Sequence, residues 1–534
     1  MDRFPDSRPE SDDVPNQPPL RGDLDLWRGD PALADHAAGA DPALRGHALW
    51  LGLADTRALA RAADRHPPEL DLFDRGGRRR DRVTFHPAYH RLLDAGLATG
   101  YAARPWEGGR TGYLDHAVMV YLHSQVEPAS CCPMTMTAAA TAALDAASDS
   151  APGLAALWRP RLTARAYDPA TRPVEEKRAA TMGMAMTEKQ GGSDLRGSST
   201  RAEREGDRYR LHGHKWFCSA PMSDGFLTLA QTDAGLTCFL VPRWLDTGNN
   251  AIHLMRLKDK LGNRANASAE IEYHGAVAFR LGEEGQGVRT ILPMVHHTRL
   301  DTALAPAGLM RAALCEAKYW CDHRTAFQRR LVDQPLMRSL LADLALDSEG
   351  ALAVGLHVAR AFDAGNAPLS RVAVALAKFL NNKLCPSVVA EAMEILGGMG
   401  YVADTPLPML YREAPLNGIW EGSGNVICLD ILRSLARPDC AEALAEDLDA
   451  ALGVFPAYDR ALDALHIRWP GPVPEAEARA FCESAALLLT AAALVRRAPP
   501  AVAEAYCASR LDAPRGRLAG TAPGLDTEAI LARL

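Results

Sequence analysis

Residues 208–220 read RYRLHGHKWFCSA, and this stretch decides the fold class. Aromatic and aliphatic residues alternate with polar ones, and an acidic turn residue, Asp207, stands before the stretch. That is the pattern of half-buried strands, here two short segments, RYRLHG (208–213) and KWFCSA (215–220). Five more such segments crowd between about Met184 and Leu281, among them FLTLAQT (226–232), LTCFLVP (236–242), AIHLMRL (251–257) and ASAEIEY (267–273). Gly, Asp and Asn punctuate them, so a compact antiparallel β-domain is expected, closed by the GEEGQG loop at 282–287.

Outward from this island the texture is helical on both sides. Residues from about Pro19 to Ala180 place apolar side chains three and four apart, as in HAVMVYL (116–122) and the alanine-rich run 137–147. Arg75-Gly76-Gly77-Arg78-Arg79-Arg80 breaks that pattern and reads as an exposed loop. After Val288, helical periods run over 299–330, 335–364, 369–396 and 423–437, and Pro438 stops the last of them. The expected division is a disordered tail (1–19), an N-terminal helical domain (20–183), the β-domain (184–285), a C-terminal helical bundle (286–438) and an extra helical domain (439–534). The fold class is mainly α with a small β-domain.

A chain of 534 residues exceeds one ordinary core. A net charge of -7 argues against a wholly basic nucleic-acid binder, although local patches remain open. Eleven cysteines, an odd number without a C-x-x-C pair, suggest reduced thiols in a cytoplasmic protein rather than disulfides or zinc. The acidic, proline-bearing start does not read as a signal peptide. The longest apolar run, Ser484–Val495, reads as a core helix and not a membrane span.

Ile419-Trp420-Glu421-Gly422-Ser423-Gly424-Asn425 sets one carboxylate between an apolar pair and a glycine-rich turn. Apolar surroundings raise a carboxyl pKa towards the range useful for proton abstraction. A helix-end glutamate with its head in water is the plainer alternative. Met186-Thr187-Glu188-Lys189-Gln190-Gly191-Gly192-Ser193-Asp194 offers hydroxyls and free N–H groups on a turn entering the β-domain. Gly397-Gly398-Met399-Gly400 ends a helix and reads on its own as a C-cap. No Walker loop and no H-E-x-x-H is present, and no metal ligands are expected; His296 and His297 read as core or surface residues.

Taken in order, TEKQGGSD, GHKWF, KLGNR, LGEEGQG, LGGMGY and WEGSG resemble the acyl-CoA dehydrogenase family of flavoproteins. The resemblance implies FAD, an acyl-CoA thioester substrate, a β-domain between two helical domains, and a homotetramer built as a dimer of dimers. It implies that Glu421 is the catalytic base. Met186, Thr187 and Gly192 would hold the flavin edge, Ser193 the pyrophosphate end, and Trp216 would pack against the ring. The family's hydroxyl two residues after that tryptophan is Cys218 here, so Ser219 takes the contact. Arg324 and Gln334 would reach the FAD of a neighbouring subunit, although Gln328 replaces the glycine of R-x-x-F-G. Gly397, Gly398, Gly422, Ser423 and Asn425 complete the cofactor set, and Glu394 stands where a glutamine is usual.

Lys189 after T-E, the base motif EGSGN, HPPELDLFD (66–74), CPMTMTAAAT (132–141) and the added tail resemble one branch of the family. That branch belongs to the bacterial adaptive response to DNA alkylation. It implies weak dehydrogenation of short branched acyl-CoA together with binding of double-stranded DNA. Arg433 and Arg437, four apart on one expected helix face, are the candidate phosphate contacts. An ordinary catabolic dehydrogenase, or an acyl-CoA oxidase, is the alternative reading.

Overall fold

The computed structural model describes residues 15–512 and 515–534. Most of the expected disordered tail, residues 1–14, lies outside the described residues. Asn16 and Pro19 are docked: Asn16 exchanges hydrogen bonds with the Thr325 backbone, and the Tyr319 hydroxyl donates to the Pro19 carbonyl.

Seven helices follow: α1 Pro31–His36, α2 Leu44–Gly52, α3 Ala54–Arg65, α4 Pro87–Thr99, α5 Gly112–Ser124, α6 Cys131–Ala146 and α7 Pro152–Leu162. The arginine-rich stretch between α3 and α4 is not simply a loop. It folds as the hairpin β1 Glu69–Phe73 with β2 Arg79–Thr84. Val83 and Leu70 sink into the β-domain core, and the buried Asp81 accepts from the Leu254 N–H. Charge on its outer face hides this strand in the sequence.

The middle of the chain holds β3 Met182–Ala185, β4 Arg201–Glu205, β5 Arg208–Ser219, β6 Gly225–Thr232, β7 Gly235–Pro242, the two-residue strands β8 Trp244–Leu245 and β9 Gly248–Asn249, β10 Ile252–Leu257 and β11 Ser268–Leu281. The ladders are antiparallel except where β3, and one residue of β4, run parallel to β6. β11 pairs with β10, β5 and β7, and β7 pairs with β6, so the sheet curls almost into a barrel. Opposite Glu270 the register of β5 slips by one residue at Trp216 and Phe217. Such a bulge re-aims side chains beside a site.

The bundle comprises α8 Gly287–His323, α9 Pro335–Asp363 and α10 Ala367–Ile395, with a small hairpin, β12 Thr325–Ala326 and β13 Arg329–Arg330, after α8. Short helices α11 Gly398–Tyr401 and α12 Leu407–Glu413 lead to α13 Gly424–Leu435. The remainder is α14 Pro438–Asp449, α15 Pro456–Arg468, α16 Ala478–Arg497, α17 Pro500–Cys507 and α18 Thr527–Leu531. These last helices share the bundle's core: Ala485, Leu488, Leu489 and Ala492 of α16 are fully buried in it. Gly350 of α9 lets Thr490 and Tyr506 approach so closely that a Cβ would meet each at 2.9 Å. α10 and the segment 475–497 are long and apolar enough to cross a membrane, and 78% and 67% of their apolar windows are buried inside the fold.

Candidate functional site

Glu421 stands in the loop between α12 and α13, in a left-handed conformation with φ +56°. That region is costly for a residue with a Cβ, and such strain gathers at functional positions. Gly422 continues the turn at φ +100°, and a Cβ there would meet Ile427 at 2.9 Å. The chain then enters α13 at Ser423.

The Glu421 carboxylate is turned inward and not into water. Its Oε2 accepts from the Thr298 hydroxyl at 2.8 Å. Burial raises its pKa above the usual glutamate value, opposed by that hydrogen bond and by the nearby Lys378 and Arg299. Arg299 is itself tied to Asp430 at 2.5 Å, and Arg371 holds the other Asp430 oxygen at 2.7 Å. Trp420, like Met184 and Met186, packs against a core cluster that includes Ile291 and Met294. Ile419, expected to help desolvate the carboxylate, is instead 66% exposed.

Lys378, in the middle of α10, lies under this loop. Its ammonium donates to the carbonyls of Asn417 at 2.8 Å and Gly422 at 2.9 Å. The Trp420 indole N–H donates to the Asn417 side chain at 2.6 Å, closing the loop on itself.

The second wall comes from the β-domain. Glu188 is fully buried and anchors the TEKQGGSD turn. It bonds Lys215 Nζ at 2.8 Å and accepts from the Ser199 N–H and the Thr200 hydroxyl. These partners hold its carboxyl far below the usual range, against the cost of burial. With Glu188 pulled in, Met186 and Thr187 stay half-buried at the rim, and Gly192 sits where a Cβ would meet the Thr187 hydroxyl at 2.3 Å. The Thr187 carbonyl accepts from the Trp216 N–H at 2.7 Å, which locks the turn to the bulged strand. Lys258 Nζ lies 3.4 Å from the Trp216 ring centre, and Lys189 lies at 5.7 Å. Ser193 is exposed.

Cys218 points into the β-core, and burial pushes its thiol up to about 12. Ser219 is half-buried, with its hydroxyl 3.1 Å from that of Ser268. Cys132 of α6 faces the Ser219 hydroxyl, and its thiol is driven up to about 12 by burial, with Glu421 pushing the same way. The α6 N-terminus, the bulged strand and the Glu421 loop therefore meet at one place.

Of the remaining cofactor candidates, all but Asn425, in the first turn of α13, sit elsewhere on this chain. Arg324 stacks on Trp320 beyond the C-terminus of α8, roughly 39 Å of helix from Thr298. Gln334 donates to the Ala326 carbonyl at 3.0 Å. Gln328 and Phe327 both adopt positive φ in the two-residue turn of the β12–β13 hairpin, which is why a glycine suits that position. Gly397, at φ +60°, and Gly398 face open space, so their backbone is approachable. Asn425 is engaged by Arg479 of α16, whose Nη1 donates to its Oδ1 at 2.9 Å.

The donor set fits FAD. Thr187, Met186 and Ser219 offer a hydroxyl-lined edge beside the half-buried Trp216, and the α13 N-terminus turns free N–H groups outward as an anion site.

Arg433 and Arg437 are both exposed, but α13 ends at Leu435 and Arg437 caps α14, so they do not share one helix face. Arg437 is paired with Asp439 at 2.7 Å. Of the tail arginines, Arg510 and Arg515 are spent on Asp343 and Asp347, and Arg496 on Asp447. His296 stacks on Phe362, and burial lowers it to about 3; His297 accepts or donates at Tyr113. Thr298, Arg299 and Lys378 carry no local sequence signal of a site, and the pairing of Glu188 with Lys215 was not legible although each lies in a quoted motif.

Three family models match the chain. The Adaptive response protein AidB N-terminal domain covers residues 16–169, the acyl-CoA dehydrogenase middle domain 183–276, and the acyl-CoA dehydrogenase C-terminal domain 285–436. AidB of Escherichia coli (strain K12), which carries an acyl-CoA dehydrogenase name, is 43% identical over 515 residues, 94% of each chain. The crystal structure of Caenorhabditis elegans ACDH-11 in complex with C11-CoA superposes with a TM-score of 0.86 at 27% identity, over 98% of this chain and 97% of that one. The Bd2924 apo-form gives a TM-score of 0.80 at 30% identity, over 89% of this chain and 98% of that one.

Proposed function

Because the chain belongs to the acyl-CoA dehydrogenase family, in its AidB branch, we propose that it desaturates an acyl-CoA thioester, with Glu421 as the base. FAD is the family's cofactor and is the cofactor of this protein. It supplies the hydride acceptor for the substrate's β-carbon. The chain's own residues manage the proton. Glu421 takes the α-proton, its carboxylate becoming a carboxylic acid as the α-carbon–hydrogen bond breaks, and the product is the enoyl thioester. Thr298 fixes the orientation of the carboxylate, and Trp420 keeps water from one side. The carrying observation is the inward-turned Glu421 carboxylate, with its raised pKa, held by Thr298 in the loop whose Trp420 packs on the same core cluster as Met186. The C11-CoA bound to ACDH-11 supports a thioester ligand of this class.

The substrate we propose is a short branched acyl-CoA, turned over slowly. Lys189 close to Trp216 and Gln328 in the hairpin alter positions flanking the cofactor. Mixing the yellow, FAD-loaded protein anaerobically with isovaleryl-CoA should bleach the flavin slowly. Glu421→Gln should retain FAD and lose the bleaching by about 10²–10⁴-fold, because the amide keeps the shape but is no base. Bleaching that survives the substitution moves the base elsewhere, and fast turnover in the wild type favours an ordinary catabolic enzyme.

The AidB branch also supports a proposal of DNA binding, through the exposed Arg433 and Arg437. The pairing of Arg437 with Asp439, and of the tail arginines with buried aspartates, confines any such face to a patch. The proposed domain limits and homotetramer follow the same family pattern.

A further inference from the structure

We propose that Lys378 is the positioning residue of the base: its ammonium ties the carbonyls on either side of Glu421 and so holds that residue in its left-handed conformation. This rests on the assignment of Glu421 above.

Lys378 is 2% exposed, four residues short of Asn382 in the interior of α10. A lysine so deeply buried needs partners for its three N–H groups. Two go to main-chain carbonyls, of Asn417 and Gly422, which bracket Ile419, Trp420 and Glu421. The bracketed segment needs such a hold. Glu421 has positive φ without being glycine, Ile419 is outside in solvent, and the loop's own backbone and side-chain ties, Ile419 N–H to Leu416 and Trp420 to Asn417, stop short of Glu421. A hydrophobic residue at 378 would fill the same space and leave two buried carbonyls without donors.

The same ammonium is an electrostatic partner. The charged groups facing it are Glu421, which favours its charged form, and Arg299 and Lys383, which oppose it; Arg299 is already paired with Asp430. Burial brings Lys378 down to about 7. While it is charged it favours the Glu421 carboxylate over the acid. Removing it therefore makes Glu421 harder to ionise.

The test uses the full-length holoprotein with isovaleryl-CoA, comparing Lys378→Met, which removes both donors and the charge, with Lys378→Gln, which keeps an amide donor. Lys378→Met should keep FAD, lower kcat by about 10–100-fold with KM within about threefold, and shift the acid limb of kcat/KM to higher pH. Lys378→Gln should recover part of kcat but keep the shifted limb. Thermal unfolding of the wild type, Lys378→Met, Glu421→Gln and the double variant gives a readout independent of turnover. The change caused by Lys378→Met in the wild-type background should differ from the change it causes in a chain already carrying Glu421→Gln. If Lys378→Met does not fold, the same cycle is run with Lys378→Gln. An unchanged pH profile with wild-type kcat, or additive unfolding shifts, overturns the proposal. Absence of turnover in the wild type counts against the dehydrogenase reading alone, and the unfolding cycle still decides Lys378.

Discussion

Glu127 shows how the interior tunes single groups near the site. It is 2% exposed, just before α6, and its two oxygens accept from the Ala129 and Ser130 N–H groups at 3.0 and 2.7 Å. Burial outweighs these bonds and raises it to about 7 from 4.5. The folded state therefore holds a proton that the unfolded chain has lost over that interval. Stability contributed by the protonated form is present below about pH 4.5 and declines as pH rises to about 7. Denaturant titrations at pH 5 and pH 8 should show the wild type losing about 2.5 kcal/mol relative to Glu127→Gln across that range. A difference independent of pH would show that Glu127 is ionised in the fold at both values. None of this was legible in the sequence, where Glu127 is an ordinary acidic residue. Glu421 was legible because Trp420 and the glycines mark it locally. Its partners were not, because Thr298 lies 123 residues away and Lys378 is bonded across a 44-residue separation.

Among the elements, the β12–β13 hairpin carries strain that a single change can relieve. Phe327 and Gln328 both have positive φ, and Phe327 is 93% exposed, so neither gains from packing within this chain. Gln328→Gly should raise stability by about 0.5–1 kcal/mol, the relief of left-handed strain less the extra freedom of glycine in the unfolded chain. Urea titration checks it, and a loss of stability would mean that the Gln328 side chain makes a contact worth more than the strain. The hairpin was missed in the sequence because Arg329 and Arg330 look like a helix end. Alternation marked β5 as strand but divided it into two segments around His214, and its bulge was not legible, since a one-residue slip depends on where Glu270 of β11 falls opposite it. Cys218 and Ser219 therefore exchange the roles that simple spacing would give them.

At the scale of the whole molecule, the last hundred residues share the bundle core and reach α13, the helix that follows the Glu421 loop, through Arg479 and Asn425. Periodicity reveals such helices but not their partners, so the expectation of an extra helical domain over 439–534 said nothing of what they pack against. If the exposed Arg433 and Arg437 contact DNA, duplex retardation should weaken steeply with salt. Changing both to alanine should lower affinity for all sequences alike and flatten that salt dependence. Unchanged retardation in the double variant removes the patch from the account. In the proposed reaction α8, through Thr298, and the loop before α13 together make Glu421 the base for an α-proton. Incubating the holoprotein with isovaleryl-CoA in deuterium oxide, with no electron acceptor, and weighing the recovered thioester tests it most directly. The wild type should return isovaleryl-CoA with deuterium at the α-carbon, and Glu421→Gln should return it unlabelled with its FAD still bound. Label appearing equally in both proteins would contradict the account.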